Sequence, residues 1–146
     1  MTAGPAGRLY SPELLALATG LAAYPLVHDL PRRAQERSRT CGSTIELGLE
    51  LDGDGRIARL GMRVAACAVG QASAALFARS AIGRSVEDVA GASARIECWL
   101  GGGGDLPDWP GLGVLEPALA LTSRHEALLL PWKAAMTVLS KPGGSG

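Results

Sequence analysis

An α+β fold, with helices packed on one face of a small antiparallel sheet of about three strands, follows from three features of the chain. Residues Thr44–Leu51 alternate Ile45, Leu47, Leu49 and Leu51 with Thr44, Glu46, Gly48 and Glu50, the period of a half-buried strand. The turn signal Asp52-Gly53-Asp54-Gly55 comes next, and apolar residues resume beyond it, which makes a hairpin. From Val69 onward the composition turns helical, punctuated by helix-start signals.

Taken in order, the first element is a helix over Ser11–Ala22. Ser11 suits the N-cap, Pro12 the first helical position and Glu13 the positive end of the dipole, while Leu14, Leu15, Leu17 and Leu21 supply an apolar side. Tyr24–Thr40 has prolines at 25 and 31 and no period, and reads as a charged loop carrying Arg32, Arg33, Arg37 and Arg39. After the hairpin turn, Arg56–Ala66 forms a second strand or two short ones, with Ile57, Leu60, Met62 and Val64.

Gly70–Ala81 is a helix of small residues suited to close packing on the sheet, and Gly83 ends it. Ser85-Val86-Glu87-Asp88 resembles a capping box and starts a helix running to about Leu100, with Val86, Val89, Ser93, Ile96 and Leu100 on one side. Asp108–Glu116 is expected to be one short helix closed by Pro117. Ser123-Arg124-His125-Glu126 matches a capping box and opens the last helix, through Leu128, Trp132, Met136 and Leu139. Residues 1–140 form a single domain on this reading, and 141–146, rich in Gly and Ser, a flexible tail.

Composition bounds the function. With 146 residues and 47% apolar side chains, a packed core needs no disulfide or structural metal. Fourteen basic side chains balance fourteen acidic ones (14 and 14), which argues against broad nucleic-acid binding. No apolar run approaches the roughly 18 residues of a membrane span, and Met1–Arg8 lacks the charged start and apolar core of a signal peptide. A cytoplasmic location is the expectation. Three cysteines, an odd count without a CxxC pair, do not form a disulfide framework. In a reducing compartment they are core residues, metal ligands or nucleophiles.

Cys41 lies where the basic loop meets the first long strand, with Gly42 allowing close backbone approach and Ser43 offering an oxygen donor. Cys67 ends the second strand and precedes the small-residue helix. A thiol there faces unpaired amides and the positive end of the helix dipole, surroundings that favour thiolate. His125 also stands at a helix start. Two thiolates and an imidazole suit zinc or iron–sulfur species. By residue type alone, each thiol is as readily a core residue, His125 a capping or surface residue, and the arginines a solvated loop.

Five stretches, in order and spanning most of the chain, resemble the NifU/IscU-like family of iron–sulfur cluster assembly scaffolds. They are Tyr10-Ser11-Pro12-Glu13, Thr40-Cys41-Gly42, the hairpin, Ala65-Ala66-Cys67-Ala68-Val69-Gly70-Gln71-Ala72-Ser73-Ala74, and Arg124–Trp132. The last is similar to the C-terminal helix start of the SufU-like branch. The resemblance implies a nascent [2Fe–2S] cluster or a zinc ion held by three cysteines and an aspartate, with sulfur arriving as persulfide from a cysteine desulfurase. Cys41 and Cys67 match the first two ligands. Ser43 stands at the aspartate, and Ala127, which cannot bind metal, at the third cysteine. Cys98 matches no ligand position and is expected to be an exposed or partner-facing thiol.

The function so implied is a scaffold or carrier that receives sulfur from the desulfurase, binds iron or a [2Fe–2S] cluster through Cys41 and Cys67, and serves recipient apo-proteins. His125 is its candidate extra ligand, and the Arg32–Arg39 loop its candidate thiolate stabiliser or docking patch. Such a role requires no conventional active site. The alternatives are a zinc-dependent persulfide relay with sulfurtransferase-like activity, and a degenerate, non-catalytic binding partner.

Overall fold

The computed structural model describes residues 10–39 and 42–140. The expected tail at 141–146 and the thiol of Cys41 lie outside the described residues. Helix α1 (Pro12–Gly20) is followed by a 3-10 turn at Leu21–Ala23, then by strands β1 (Arg32–Arg37), β2 (Thr44–Leu51) and β3 (Ile57–Ala65). Helices α2 (Ala68–Ala81) and α3 (Val86–Leu100) come next, then 3-10 segments at Leu112–Ala120 and Thr122–Arg124, and finally α4 (His125–Ser140).

The sheet is antiparallel in the order β1-β2-β3. Ile45, Leu47 and Leu49 point into the core as their alternation predicts. Asp52 shapes the hairpin turn, its carboxylate accepting from the amides of Asp54 at 2.9 Å and Arg56 at 3.0 Å. Arg56–Ala66 resolves into one strand rather than two. The third strand comes instead from the stretch expected to be loop. In β1, Ala34 is the buried residue, so no apolar alternation betrays the strand. Its arginines suit an edge, where charge discourages pairing with another chain.

Helix α4 packs on β1 and β2, and α2 packs on β3, α1 and α4. The opposite face is crossed by residues 25–30. Tyr24 accepts from the Met62 amide at 2.9 Å, and the chain then passes over Gly48 and Gly61, which are paired across the ladder. A Cβ on Gly61 would sit 2.1 Å from the Pro25 carbonyl oxygen, so only glycine permits this approach. Cross-strand charge pairs, Arg63 with Glu46 at 2.8 Å and Arg59 with Glu50, line the same face.

Helix starts follow the sequence signals closely. The Ser11 hydroxyl accepts from the Leu14 amide at 3.2 Å. Ser85 and Asp88 make the reciprocal capping box, at 3.2 and 3.1 Å. The short helix expected at Asp108–Glu116 is instead a 3-10 segment over Leu112–Ala120 that contains Pro117. A 3-10 turn at Thr122–Arg124 replaces the first turn expected for the last helix. Between these elements Phe77, Trp109 and Trp132 form an aromatic centre: Phe77 and Trp109 stack at 5.6 Å, and Trp132 meets both edge-on.

Candidate functional site

The sheet register brings three chain segments to one end of the domain. Thr44 pairs with Arg37 on one side and with Ala65 on the other, so the β1–β2 connection and the end of β3 share an edge. Cys41 belongs to that connection, and Cys67 follows Ala65 by two residues. The Ser38 amide donates to the Ser43 carbonyl at 2.8 Å and closes the connection at its base. Gly42 has a φ of 71°, a left-handed conformation that any side chain would strain. Ser43 is buried, at 3% exposure, where the site would need its hydroxyl to be reachable.

Cys67 is the N-cap of α2, with an extended backbone, and its sulfur accepts no hydrogen bond from the helix amides. It is half-buried, and the Gln71 amide donates to its carbonyl at 2.9 Å. The Gln71 side chain reaches back to the Ala66 carbonyl, also at 2.9 Å, fixing the approach to the helix. The thiol therefore stands at the open, positive end of a 14-residue helix.

The start of α4 completes the convergence. Ala127 is fully buried, and a Cβ built on Gly70 would lie 3.5 Å from its Cβ. The position at which the resemblance implies a third cysteine thus packs on Gly70, three residues along the chain from Cys67. Glu126 is half-buried, and its Oε1 accepts from the Arg39 backbone amide at 2.5 Å, joining α4 to the connection that carries Cys41. No sequence signal singles out this contact, because its partner is a main-chain amide 87 positions away.

His125 is turned toward the preceding 3-10 segment. Its Nε2 lies 3.2 Å from the Ala118 carbonyl oxygen and 3.1 Å from that of Leu119. Carbonyls only accept, so Nε2 carries the proton, and in the neutral ring Nδ1 keeps the lone pair. Among the described residues, no three His, Cys, Asp or Glu side chains are grouped closely enough to hold a metal ion.

The arginines expected in a loop sit mostly on β1. The Arg33 guanidinium donates to the Val27 and Leu30 carbonyls and pairs with Glu46 at 3.9 Å, so it braces the fold. Cys98 is exposed on α3, beside a cleft lined by Arg95, Gly104, Asp105 and Asp108. A larger cleft of about 550 Å³ runs between α1 and α2 past Leu17, Tyr24, Leu76 and Val114. Neither contains Cys67 or His125. Among the described residues no helix is long and apolar enough to cross a membrane.

No family model matches the chain, and no curated protein matches it. Solved structures do. The N-terminal part of a nitrogen-fixing NifU-like protein from Brucella abortus is 25% identical, with a TM-score of 0.86 over 93% of this chain and 95% of its own. A putative iron–sulfur cluster assembly scaffold protein for the SUF system from Fervidobacterium islandicum shares the fold at 19% identity. Its TM-score is 0.80 over 90% of this chain and 97% of its own. These neighbours place the chain among the NifU/IscU/SufU-like folds, the family its motifs resemble.

Proposed function

We propose that this chain is a scaffold or carrier in iron–sulfur cluster assembly, with Cys41 and Cys67 as its thiolate ligands and the cluster as its cargo. The observation that carries this reading is the meeting of three segment ends: the β1–β2 connection, the start of α2 and the start of α4. It is supported by the likeness to a NifU-like domain and to a SUF-system scaffold.

Each residue has a chemical role in this reading. A desulfurase presents a persulfide, and the thiolate of Cys67 or Cys41 attacks its outer sulfur. That sulfur passes to the thiolate, and the desulfurase cysteine leaves as thiolate. An external two-electron reductant then releases that sulfur as sulfide and restores the cysteine thiolate, and iron binds the two thiolates together with the sulfide. His125 contributes Nδ1 as the extra ligand, its Nε2–H being oriented by the two carbonyls in the way metal-binding imidazoles are commonly held. Water completes the coordination, since the Ser43 hydroxyl is buried. With two thiolates rather than three, the cluster is held loosely and passes readily to recipient apo-proteins.

Iron and sulfide content of protein purified without oxygen tests this reading, measured beside Cys41→Ser, Cys67→Ser and His125→Ala. Iron and sulfide in the wild type, lost in both cysteine variants, are expected. Retention in His125→Ala would remove that residue from the ligand set. Stoichiometric zinc without sulfide would favour a persulfide relay, and no metal together with neutral cysteine variants a binding partner.

A further inference from the structure

An N-cap side chain ordinarily turns in and accepts from the amides of the first helical turn. The Cys67 sulfur accepts from none of them, although Cys67 is the N-cap of α2. What fixes the backbone there is the preceding residue, Ala66, which is held in two ways. Its carbonyl accepts from Gln71 Nε2 at 2.9 Å. Its methyl packs on Gly70, where an added Cβ would lie only 2.7 Å from it, so residue 70 must be glycine for the two to meet. Helical side chains lean toward the N-terminus, which carries the half-buried Gln71 amide back across the first turn. The clasp thus joins the end of β3 to the start of α2, with Cys67 between its two anchor points.

We propose that Gln71 is a positioning residue for Cys67, holding the Ala66 carbonyl so that the Cys67 sulfur is presented to a sulfur donor instead of turned in to cap the helix. This inference rests on the scaffold reading for its purpose, the acceptance of sulfur, but not for its structural content. In that step the Cys67 thiolate attacks the outer sulfur of a donor persulfide. A sulfur–sulfur bond forms at Cys67, the donor's own bond breaks, and its electron pair leaves on the donor thiolate. A sulfur turned in to accept from the helix amides would have neither the free lone pair nor the access that this attack requires.

Two thiol reactions of the whole metal-free chain test this in wild type, Gln71→Met and Gln71→Lys. Peptide mass spectrometry resolves each cysteine, and the exposed Cys98 on α3 serves as internal reference. Methionine matches the length of glutamine but donates nothing, whereas lysine still donates to the Ala66 carbonyl. Alkylation by iodoacetamide reads presentation of the thiol, and transfer from glutathione persulfide reads sulfur acceptance. Both Cys67 rates, relative to Cys98, are expected to fall about fivefold in Gln71→Met and to be retained in Gln71→Lys. A Met variant less stable in urea but alkylated like wild type would overturn the proposal, leaving Gln71 a structural clasp alone. So would faster alkylation in Gln71→Met, since Gln71 would then shield the thiol, or a Lys variant as slow as the Met variant. Absence of sulfur transfer to wild-type Cys67 would count against the scaffold reading, while the alkylation ratios still decide the positioning role.

Discussion

Ser73 on α2 donates its hydroxyl proton to the Leu128 carbonyl of α4 at 2.5 Å, in a fully buried position. The bond ties together the two helices whose starts flank the candidate site. Leu128 follows Ala127 directly, so the contact also sets how closely α4 approaches Gly70.

Replacing Ser73 by Ala should therefore cost about 1 kcal/mol, a fall of roughly 3 °C in Tm, without creating a large cavity. Urea denaturation measures the first and calorimetry the second. Ser73→Val should cost more, because two methyl groups must fit where α2 and α4 already touch. A valine variant as stable as wild type would mean that the helix interface is looser than these contacts imply.

The aromatic centre gives a comparison that cancels most of the packing term. Trp109 Nε1 donates to the Leu76 carbonyl at 2.9 Å, and the Arg84 guanidinium lies 4.3 Å from its ring centre. Trp132 is equally enclosed, but its Nε1 has no hydrogen-bond partner among the described residues. Trp109→Phe should be the costlier change by about 1 kcal/mol, since it loses a buried hydrogen bond and a cation–π contact. Equal losses in urea would show that the Trp132 ring contributes something its missing partner conceals.

Asp88 predicts a pH dependence. The Ser85 backbone amide, the Ser85 hydroxyl and the nearby Arg56 and Arg84 charges hold its carboxyl below the ordinary carboxylate value. A depressed folded-state pKa means stability that is present above the unfolded value, 3.8, and is lost as pH falls through the folded one. Wild type should thus exceed Asp88→Asn in stability near neutrality, with the gap closing below about pH 4. Denaturation of both proteins from pH 7 to pH 3 checks this; a gap independent of pH would assign the difference to hydrogen-bond geometry alone.

How far the sequence revealed this molecule depends on what kind of force specified each part. The hairpin and the helix starts at Ser11 and Ser85 were legible because turn residues and caps act within a few positions. Strand β1 was not, since its buried content is essentially Ala34 and its place is fixed by pairing with β2 rather than by a hydrophobic period. The 3-10 segment at Leu112–Ala120 likewise escaped, because Pro117 looks like a stop in sequence but is accommodated within it. At the site, the helix-start setting of Cys67 could be read from neighbouring residues, but Gly42, expected to allow a close backbone approach, is instead required by its positive φ. The Glu126–Arg39 bond and the orientation of His125 could not be read, since both depend on carbonyls and amides that carry no residue signature.

Gly42 offers the most direct test of how the connection's backbone supports the site. Its φ of 71° is unfavourable for residues with a side chain, although among the described residues, chain neighbours aside, no atom lies within 4 Å of where a Cβ would be. The cost of substitution is therefore backbone strain rather than collision. Gly42→Ala should lose about 1 kcal/mol, and Gly42→Asn less, because asparagine tolerates the left-handed region better. If the strain is relieved by moving the connection, iron retention should fall further in the alanine variant than its stability loss alone explains, with asparagine intermediate. Urea denaturation of the metal-free proteins and iron content after anaerobic purification separate the two effects. An alanine variant with wild-type stability and wild-type iron would show that the connection reaches the same position by another backbone path.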